Sequence, residues 1–356
     1  MFKRYLLSYS WIFLCVATTS SPPCARTTSL DITGETYSLI STTPYALCPV
    51  HDPSIIRDPK SDYLYLFSTD AGGVTQPPLL HIRSSLDNGT TWQENGYIFS
   101  EIPSWAKNII PEATNIWAPD ISLVDDEWRV YYAISSFGSE KSVIGLVTSP
   151  SLSTPIWTDK GLILQSTNGI GYNAIDPNLY QGINSTTNEY ESWLLFGSFW
   201  NGIYIRKVDP RTGLLYNDST NITPIHLAQR PPPDALEGSF LISRGNYHYL
   251  FASYDKCCIG VNSTYNVRVG RSSTGVQGPY IDMQGVSMLE GGGSEIFKGG
   301  YGWAATGGQS VLRDTVSISS TTSQIVLHAY DGKTGQPFLN FVSFNWTTDN
   351  WPISSV

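Results

Sequence analysis

Five acidic residues recur at near-regular intervals in this 356-residue chain, and each one begins a short apolar run. They are Asp52, Asp120, Asp176, Glu237 and Glu295, separated by 68, 56, 61 and 58 residues. Burying a charged carboxylate is costly, so an acid at the head of an apolar strand needs an explanation. Periods of about 40 to 60 residues are typical of folds that repeat one multi-stranded unit. The spacing therefore predicts a repeated β fold whose strand heads converge on one place.

Further strands follow most of the acid-headed runs. Aromatic-rich segments such as Tyr63–Ser68 and Trp128–Ser135 supply a second strand, and alternating segments such as Leu79–Ser84 supply a third. Period-2 alternation predicts strands, and clusters of Gly, Pro and Asn predict the turns between them. In the fifth unit we expect Glu295 to head the first strand and Tyr301–Thr306 to form the second. The predicted fold class is all-β, a five-bladed β-propeller, with a pair of β-sandwiches as the alternative.

The propeller geometry has a direct consequence for the acids. The innermost strand of each blade lines a central channel, so the heads of those strands meet at one mouth of the channel. Clustered carboxylates there have three uses: binding a metal, binding a cationic substrate, or acid/base catalysis. Glycoside cleavage needs one carboxyl group kept protonated and another kept ionised. The turn-like setting of Asp52 suits a base open to water, and the apolar setting of Glu237 suits a raised pKa.

Composition restricts the class of partner. The formal net charge is −9, which argues against nucleic acid because nucleic-acid binding needs a basic surface. Trp and Tyr together number 32 (11 + 21), so the chain has many flat rings that can pack against sugars. A neutral polymer or small ligand is the expected partner, and we expect a monomer.

The N-terminal region resembles a secretory signal peptide. Lys3 and Arg4 precede an apolar stretch that is too short to span a bilayer, and small residues follow it. We expect a signal peptide over residues 1–25, with cleavage between positions 17 and 25, and a single catalytic domain over 26–356. A secreted glycoprotein without a membrane anchor is the prediction. Sequons that agree with secretion begin at Asn88, Asn184, Asn217, Asn221, Asn262 and Asn345.

Cysteine usage is sparse. If Cys15 and Cys24 leave with the signal peptide, the mature chain keeps Cys48, Cys257 and Cys258. This odd number predicts one disulfide and one free buried thiol, with a bridge between the two adjacent cysteines left open. The His and Cys spacing does not suit zinc.

Seven motifs in order along the chain resemble glycoside hydrolase family 43 and, within it, secreted fungal endo-1,5-α-L-arabinanases. The resemblance covers roughly residues 45 to 345. The motifs are His51–Ile55, Trp117–Asp120, Asn173–Leu179, Phe196–Ile203, Leu236–Phe240, Ser263–Arg271 and His328–Gly332.

The resemblance implies a five-bladed propeller with its catalytic centre at the mouth of the central channel, and hydrolysis by a single inverting displacement. Asp52 would be the general base and Glu237 the general acid. Asp176 would raise the pKa of Glu237 and orient its side chain. We expect Asp120 to be structural, closing a turn, and Glu295 to lie at the rim.

The resemblance also implies contacts to substrate and to an ion. His328 would help to hold a metal ion, with calcium expected, largely through water molecules. The chain departs from bacterial relatives at Gln309, which stands where they have a second histidine. The expected substrate-binding residues are Trp117, Asn173, Ser198, Phe199 and Trp200.

These assignments predict endo-acting hydrolysis of α-1,5-linked arabinan, a side chain of plant pectin. An exo-acting α-L-arabinofuranosidase or β-xylosidase is the alternative with the same chemistry. A non-catalytic carbohydrate-binding propeller is the alternative of another class.

Overall fold

A computed structural model describes residues 48–69, 79–184, 187–216 and 223–355. These residues form five four-stranded antiparallel sheets, and the strands of each sheet are consecutive in the sequence. The sheets are the blades of a five-bladed β-propeller, which confirms the predicted fold class. The predicted signal peptide lies outside the described residues.

The first three blades run in sequence order from the channel outward. Blade 1 contains β1 (His51–Arg57), β2 (Leu64–Thr69), β3 (Leu79–Ser85) and β4 (Gln93–Phe99). Blade 2 contains β5 (Trp117–Val124), β6 (Glu127–Ile134), β7 (Ser142–Ser149) and β8 (Thr158–Ser166). Blade 3 contains β9 (Asn178–Ile183), β10 (Tyr190–Phe196), β11 (Ile203–Val208) and β12 (Ile225–Ala228).

The last two blades follow the same plan. Blade 4 contains β13 (Leu236–Arg244), β14 (Tyr247–Tyr254), β15 (Asn266–Ser272) and β16 (Ser294–Phe297). Blade 5 contains β17 (Trp303–Val311), β18 (Thr322–Asp331), β19 (Pro337–Trp346) and β20 (Pro352–Ser354). One α-helical turn, α1 (Ser104–Ile109), connects blades 1 and 2, and no helix in the described ranges is long and apolar enough to cross a bilayer.

The aromatic-rich second strands form the apolar interior. Every residue of β2 and nearly every residue of β6 and β14 is buried, because these strands pair on both sides and pack between neighbouring blades. Rings such as Phe67, Tyr132 and Phe251 fill the spaces between blades. The blades are thus held side by side by apolar contact, which fixes the inner strands around the channel.

The fifth blade corrects the sequence-based assignment. Glu295 lies on β16, the outermost strand of blade 4, where it pairs with Arg268, and Tyr301–Thr306 overlaps the first strand of blade 5 instead of the second. The short run Ile296–Phe297 resembled an inner strand because it packs against an apolar core between blades. The true inner strand, β17, carries glycines at Gly307 and Gly308 where an acid was expected.

One position near the head of each inner strand has a left-handed backbone. It is occupied by Asp52 (φ 45°), Ala118 (φ 26°), Asp176 (φ 54°), Gly238 (φ 56°) and Gly308 (φ 59°). Four of the five inner strands have a bulge or irregular register there, so one residue of the ladder is left unpaired. Pro53, Pro119 and Pro177 follow three of these residues. A bulge leaves no ladder bond for the missing N–H of Pro53 or Pro119, and Pro177 lies just before β9 begins.

The side chain two residues further along ties neighbouring blades together. Ser54 accepts a hydrogen bond from the Ile121 amide at 3.1 Å, and Asn178 accepts one from the Leu241 amide at 2.9 Å. Ser310 similarly accepts a bond from the Ile55 amide at 3.2 Å. Asp120 performs this function between blades 2 and 3. The five left-handed residues above these bonds all line a narrow cavity on the channel axis.

Candidate active site

Asp52 is held as an ionised carboxylate at the head of β1. Its Oδ2 accepts a hydrogen bond from the Thr69 hydroxyl at 3.0 Å, and its Oδ1 lies 2.9 Å from Nδ1 of His51. Burial alone would raise the pKa of Asp52, but the charge and hydrogen bond of His51, helped by His328 and Thr69, lower it to about 2. Its side chain keeps an exposed fraction of 23%. Asp52 is therefore an ionised oxygen acceptor that solvent can reach.

Glu237 occupies a contrasting environment at the start of β13. Oε2 accepts a hydrogen bond from the Ser198 hydroxyl at 2.6 Å, and Oε1 accepts one from the Tyr265 hydroxyl at 2.7 Å. Burial raises the pKa of Glu237, the two hydroxyls oppose that rise, and the negative charge of Asp52 adds to it. The pKa remains above its usual value, so Glu237 is suited to carry a proton.

Asp176 lies in blade 3, at the position equivalent to that of Asp52 in blade 1. Its Oδ2 accepts a hydrogen bond from the Gly238 amide at 3.0 Å, which links Asp176 to the residue after Glu237. Burial, and then the charges of Glu237 and Asp52, raise the pKa of Asp176 well above its usual value. Asp176 and Glu237 are therefore a coupled pair of carboxyl groups, and ionisation of one opposes ionisation of the other.

His51 and Tyr330 support Asp52, and sequence analysis assigned neither of them a role. His51 Nε2 and the Tyr330 hydroxyl lie 2.6 Å apart, while His51 Nδ1 contacts Asp52. Burial lowers the pKa of His51, but the Asp52 carboxylate more than offsets this effect, and the pKa is raised. The pair is separated by 279 residues, so only the position of His51 beside Asp52 signalled its role.

The three acids face a wide cleft of about 910 Å³. All five predicted substrate-binding residues line it, together with parts of blades 4 and 5. The rings of Trp117, Phe199 and Trp200 are half-buried and available to pack against a sugar. The two polar residues of the set already have partners within the protein. The Ser198 hydroxyl donates to Glu237, and the Asn173 amide oxygen accepts a 2.6 Å hydrogen bond from Ser142.

His328 lies on β18, buried between the rings of His51 and Tyr265. The Asp52 amide donates to its Nδ1 at 3.2 Å, so the neutral ring carries its proton on Nε2. Burial lowers the pKa of His328 well below its usual value, and Nε2 has no partner among the described residues. The Nε2–H cannot ligate a cation directly, but it can donate a hydrogen bond to a water molecule that does. The ring therefore fits the largely water-mediated site predicted for calcium, whose ligands are oxygens.

Gln309 is fully engaged within the protein. Its amide oxygen accepts a 2.7 Å hydrogen bond from Ser253, and its amide nitrogen donates to the Gly238 carbonyl. Gln309 therefore holds the Gly238 bulge and has no free group to offer an ion.

Asp120 is built into the core, as predicted, although it ties blades together and does not close a turn. Its oxygens accept hydrogen bonds from the Leu179 amide at 2.7 Å and from the Asn178 side chain at 3.0 Å. Burial raises the pKa of Asp120, and the positive charge of the half-buried Arg313 opposes this rise. Glu295 is outside the site, on the outer strand of blade 4.

All three cysteines in the described ranges are disulfide-bonded, so the predicted free thiol is wrong. Cys257 and Cys258 are joined to each other. Cys48 is disulfide-bonded as well.

Three proteins represent the relatives that this sequence matches. An extracellular endo-α-(1→5)-L-arabinanase 1 of Bacillus subtilis is 38% identical over 85% of this chain and 87% of its own. A probable arabinan endo-1,5-α-L-arabinosidase C of Aspergillus niger is 33% identical, covering 86% of this chain and 92% of its own. An extracellular exo-α-(1→5)-L-arabinofuranosidase of Cellvibrio japonicus is 32% identical over 85% of each chain.

The fold matches as well. A family 43 endo-arabinanase from Bacillus licheniformis superposes with a TM-score of 0.75 at 36% identity, covering 85% of this chain and 97% of that one. The sequence model for glycosyl hydrolases family 43 matches residues 43–352, which contain all three acids and all five blades except the last two residues of β20. The chain belongs to glycosyl hydrolases family 43.

Proposed function

We propose that this chain is an endo-acting hydrolase of α-1,5-linked L-arabinan. The observation that carries the proposal is the contrast between the environments of two carboxyl groups that face one cleft. Asp52 has a pKa lowered to about 2, whereas burial raises the pKa of Glu237. One ionised and one protonated carboxyl are what a glycosidase needs at the two sides of the scissile bond. The names of the relatives support arabinan as the polymer.

Hydrolysis proceeds by a single displacement with inversion. Asp52 takes a proton from a water molecule, whose oxygen attacks the anomeric carbon. Glu237 simultaneously gives its proton to the leaving glycosidic oxygen on the other side of the sugar. An inverting pair needs roughly 6.5–9.5 Å between carboxyl groups, which leaves room for that water. His51 and Thr69 hold Asp52 in place, and Ser198 and Tyr265 hold Glu237.

Asp176 controls the proton on Glu237. While Asp176 carries charge, it opposes ionisation of Glu237 and so favours the protonated form of the acid. Its hydrogen bond from the Gly238 amide fixes it against the same bulge that positions Glu237. Asp176 thus acts through Glu237 and not on the water or the leaving oxygen.

A calcium ion near His328 is part of the proposal. When bound, the ion supplies positive charge and ordered water at the bottom of the site. His328 would contact it through water from Nε2. Removing the ion with a chelator should lower the melting temperature, and adding calcium should restore it. Equal melting curves with and without calcium would contradict a calcium site near His328.

Endo action is favoured by the breadth of the cleft. Its lining extends from Phe137 in blade 2, through Trp200 in blade 3, to Gln336 and Pro337 in blade 5. A site open on several sides accepts the interior of a polymer. The exo-acting Cellvibrio relative makes exo action the second candidate.

Product analysis on linear arabinan separates the candidates. Endo action yields a ladder of oligomers early in the reaction, whereas exo action yields one short product from the first minutes. Hydrolysis of xylan in preference to arabinan would contradict the proposed substrate. Binding of arabinan without turnover would contradict an enzyme of either kind.

Secretion is also proposed, since two of the similar relatives are named extracellular. Mass spectrometry of the protein in culture medium should show an N-terminus between positions 18 and 26. A full-length chain retained in cells would contradict it.

A further inference from the structure

The bond between Cys257 and Cys258 lies on the wall of the cleft that both catalytic carboxyl groups face. Both cysteines line the cleft, and Cys258 is exposed to it. They follow β14, which is the strand after the one that carries Glu237. A bridge between two adjacent residues does little to connect distant parts of a chain, so its position needs another explanation.

The disulfide contacts the supporting partner of each carboxyl. Sγ of Cys258 lies 3.8 Å from His51 Nε2, and His51 in turn contacts Asp52. Cys257 packs against the cluster of Tyr265 and Tyr330, and Tyr265 bonds Glu237. The disulfide is thus one side chain away from the base, and it packs against the cluster that contains the hydrogen-bond partner of the acid.

The backbone presents the disulfide in a fixed orientation. Cys258 has a left-handed backbone with φ 66°, and its amide donates to the Tyr330 hydroxyl at 3.0 Å. The same hydroxyl lies 2.6 Å from His51 Nε2. The sulfur atoms therefore have a defined place relative to the reacting centre.

The two sides of the cleft differ in their apolar surface. Blades 2 and 3 provide half-buried or exposed rings, including Trp117, Phe137 and Trp200. On the side of blades 4 and 5, the lining aromatic residues Tyr265 and Tyr330 are buried, and the exposed apolar surface comes from Cys258 and Ile259. Sulfur is soft and polarisable, and the C–H face of a sugar packs against such a surface as it does against a ring.

We propose that the Cys257–Cys258 disulfide is a substrate-binding element that packs against a sugar bound next to Asp52 and Glu237, facing the aromatic side of the cleft. This inference rests on the proposed arabinan hydrolysis. It predicts that losing the disulfide weakens binding of substrate and transition state alike, so KM rises while kcat stays nearly constant.

Kinetics on linear arabino-oligosaccharides test the proposal. The double variant Cys257→Ala/Cys258→Ala should raise KM about fivefold to tenfold, with kcat within about threefold of wild type. Val261→Ala is the matched control, because Val261 is an exposed apolar residue of the same loop that does not line the cleft. Its KM should stay at the wild-type value. A double variant with wild-type KM, or with lower kcat alone, would overturn the proposal.

Chemical protection tests contact without relying on a variant of the loop. In Asp52→Asn, which should bind arabinohexaose without cleaving it, a phosphine reductant opens disulfides and alkylation with mass spectrometry measures the rate for each cysteine. Saturating arabinohexaose should slow reduction of Cys257–Cys258 at least threefold and leave the bond of Cys48 unchanged. Equal rates with and without the sugar would overturn the proposal. If the wild-type chain does not cleave arabinan at all, the proposed function fails, which is a distinct result.

Discussion

Asp120 and Asp176 look alike in the sequence, since each opens an apolar run on an inner strand, yet their surroundings differ. Asp120 is 3% exposed and accepts hydrogen bonds from an amide and an Asn side chain, with the positive charge of the half-buried Arg313 nearby. Asp176 accepts one amide bond and faces two other carboxyl groups. The hydrogen bonds and the positive charge around Asp120 favour its ionised form. The two carboxyl groups around Asp176 oppose its ionised form.

The comparison shows how to separate structural acids from functional ones. A buried charge that contributes to stability is paired and hydrogen-bonded, as Asp120 is. The pKa of Asp176 is raised by burial and, in addition, by two neighbouring carboxylates, and such like-charge neighbours mark a site where chemistry takes precedence over stability. Variants at the two positions should therefore have opposite effects.

The largest expected effect is on rate, at the two catalytic carboxyl groups. Glu237→Gln and Asp52→Asn should each lower kcat on linear arabinan by roughly 10²–10⁴-fold, because each removes one proton transfer. Asp120→Asn is the control, since Asn can still accept the Leu179 amide bond, and its folded protein should stay within about tenfold of wild type. Activity within tenfold of wild type in Glu237→Gln would remove the role assigned to Glu237.

The next largest effect is on stability, at the structural acid. Asp120→Ala leaves the Leu179 amide and the Asn178 side chain without their acceptor. We expect the free energy of unfolding to fall by about 2–5 kcal/mol, measured by urea denaturation, because each buried donor left without an acceptor costs about 1–3 kcal/mol. A loss below 1 kcal/mol would show that Asp120 does not hold blades 2 and 3 together.

Asp176→Asn should change the pH dependence of the rate. Asn keeps the acceptor for the Gly238 amide but removes the charge that opposes ionisation of Glu237. The pKa of Glu237 should fall, so the alkaline limb of the kcat profile should move to lower pH, with a loss of about 10–100-fold in kcat near pH 6. If the alkaline limb of the kcat profile stays at the wild-type pH, Asp176 has only a structural role.

The smallest effect is a gain in stability from the same substitution. The pKa of Asp176 is raised in the folded state, so its contribution to stability is present below its unfolded value near 3.8 and is lost as pH rises through the folded pKa. Asp176→Asn avoids that loss. Its melting temperature should exceed that of wild type near pH 7 by about 2 °C, the shift expected for roughly 1 kcal/mol. The difference should shrink toward pH 4, and a difference that grows toward pH 4 would contradict the assigned direction.

Local patterns predicted much of this molecule. The aromatic second strands and acid-headed runs predicted the first four blades, because buried strands need period-2 or continuous apolar sequence. The fifth blade was misplaced, because its inner strand carries Gly307 and Gly308 and the apolar run after Glu295 resembled a strand head. The contacts of His51 with Tyr330 and Cys258 join residues far apart in the chain, and no local pattern encodes them.

The most direct test of the central claim is the anomeric configuration of the first product. Proton NMR during the first minutes of arabino-oligosaccharide hydrolysis, before mutarotation, should show the new reducing end as the β anomer. That inversion requires one displacement by the water activated by Asp52, with Glu237 as acid. An α anomer formed first would mean retention and a covalent intermediate, and it would contradict the roles assigned to both carboxyl groups.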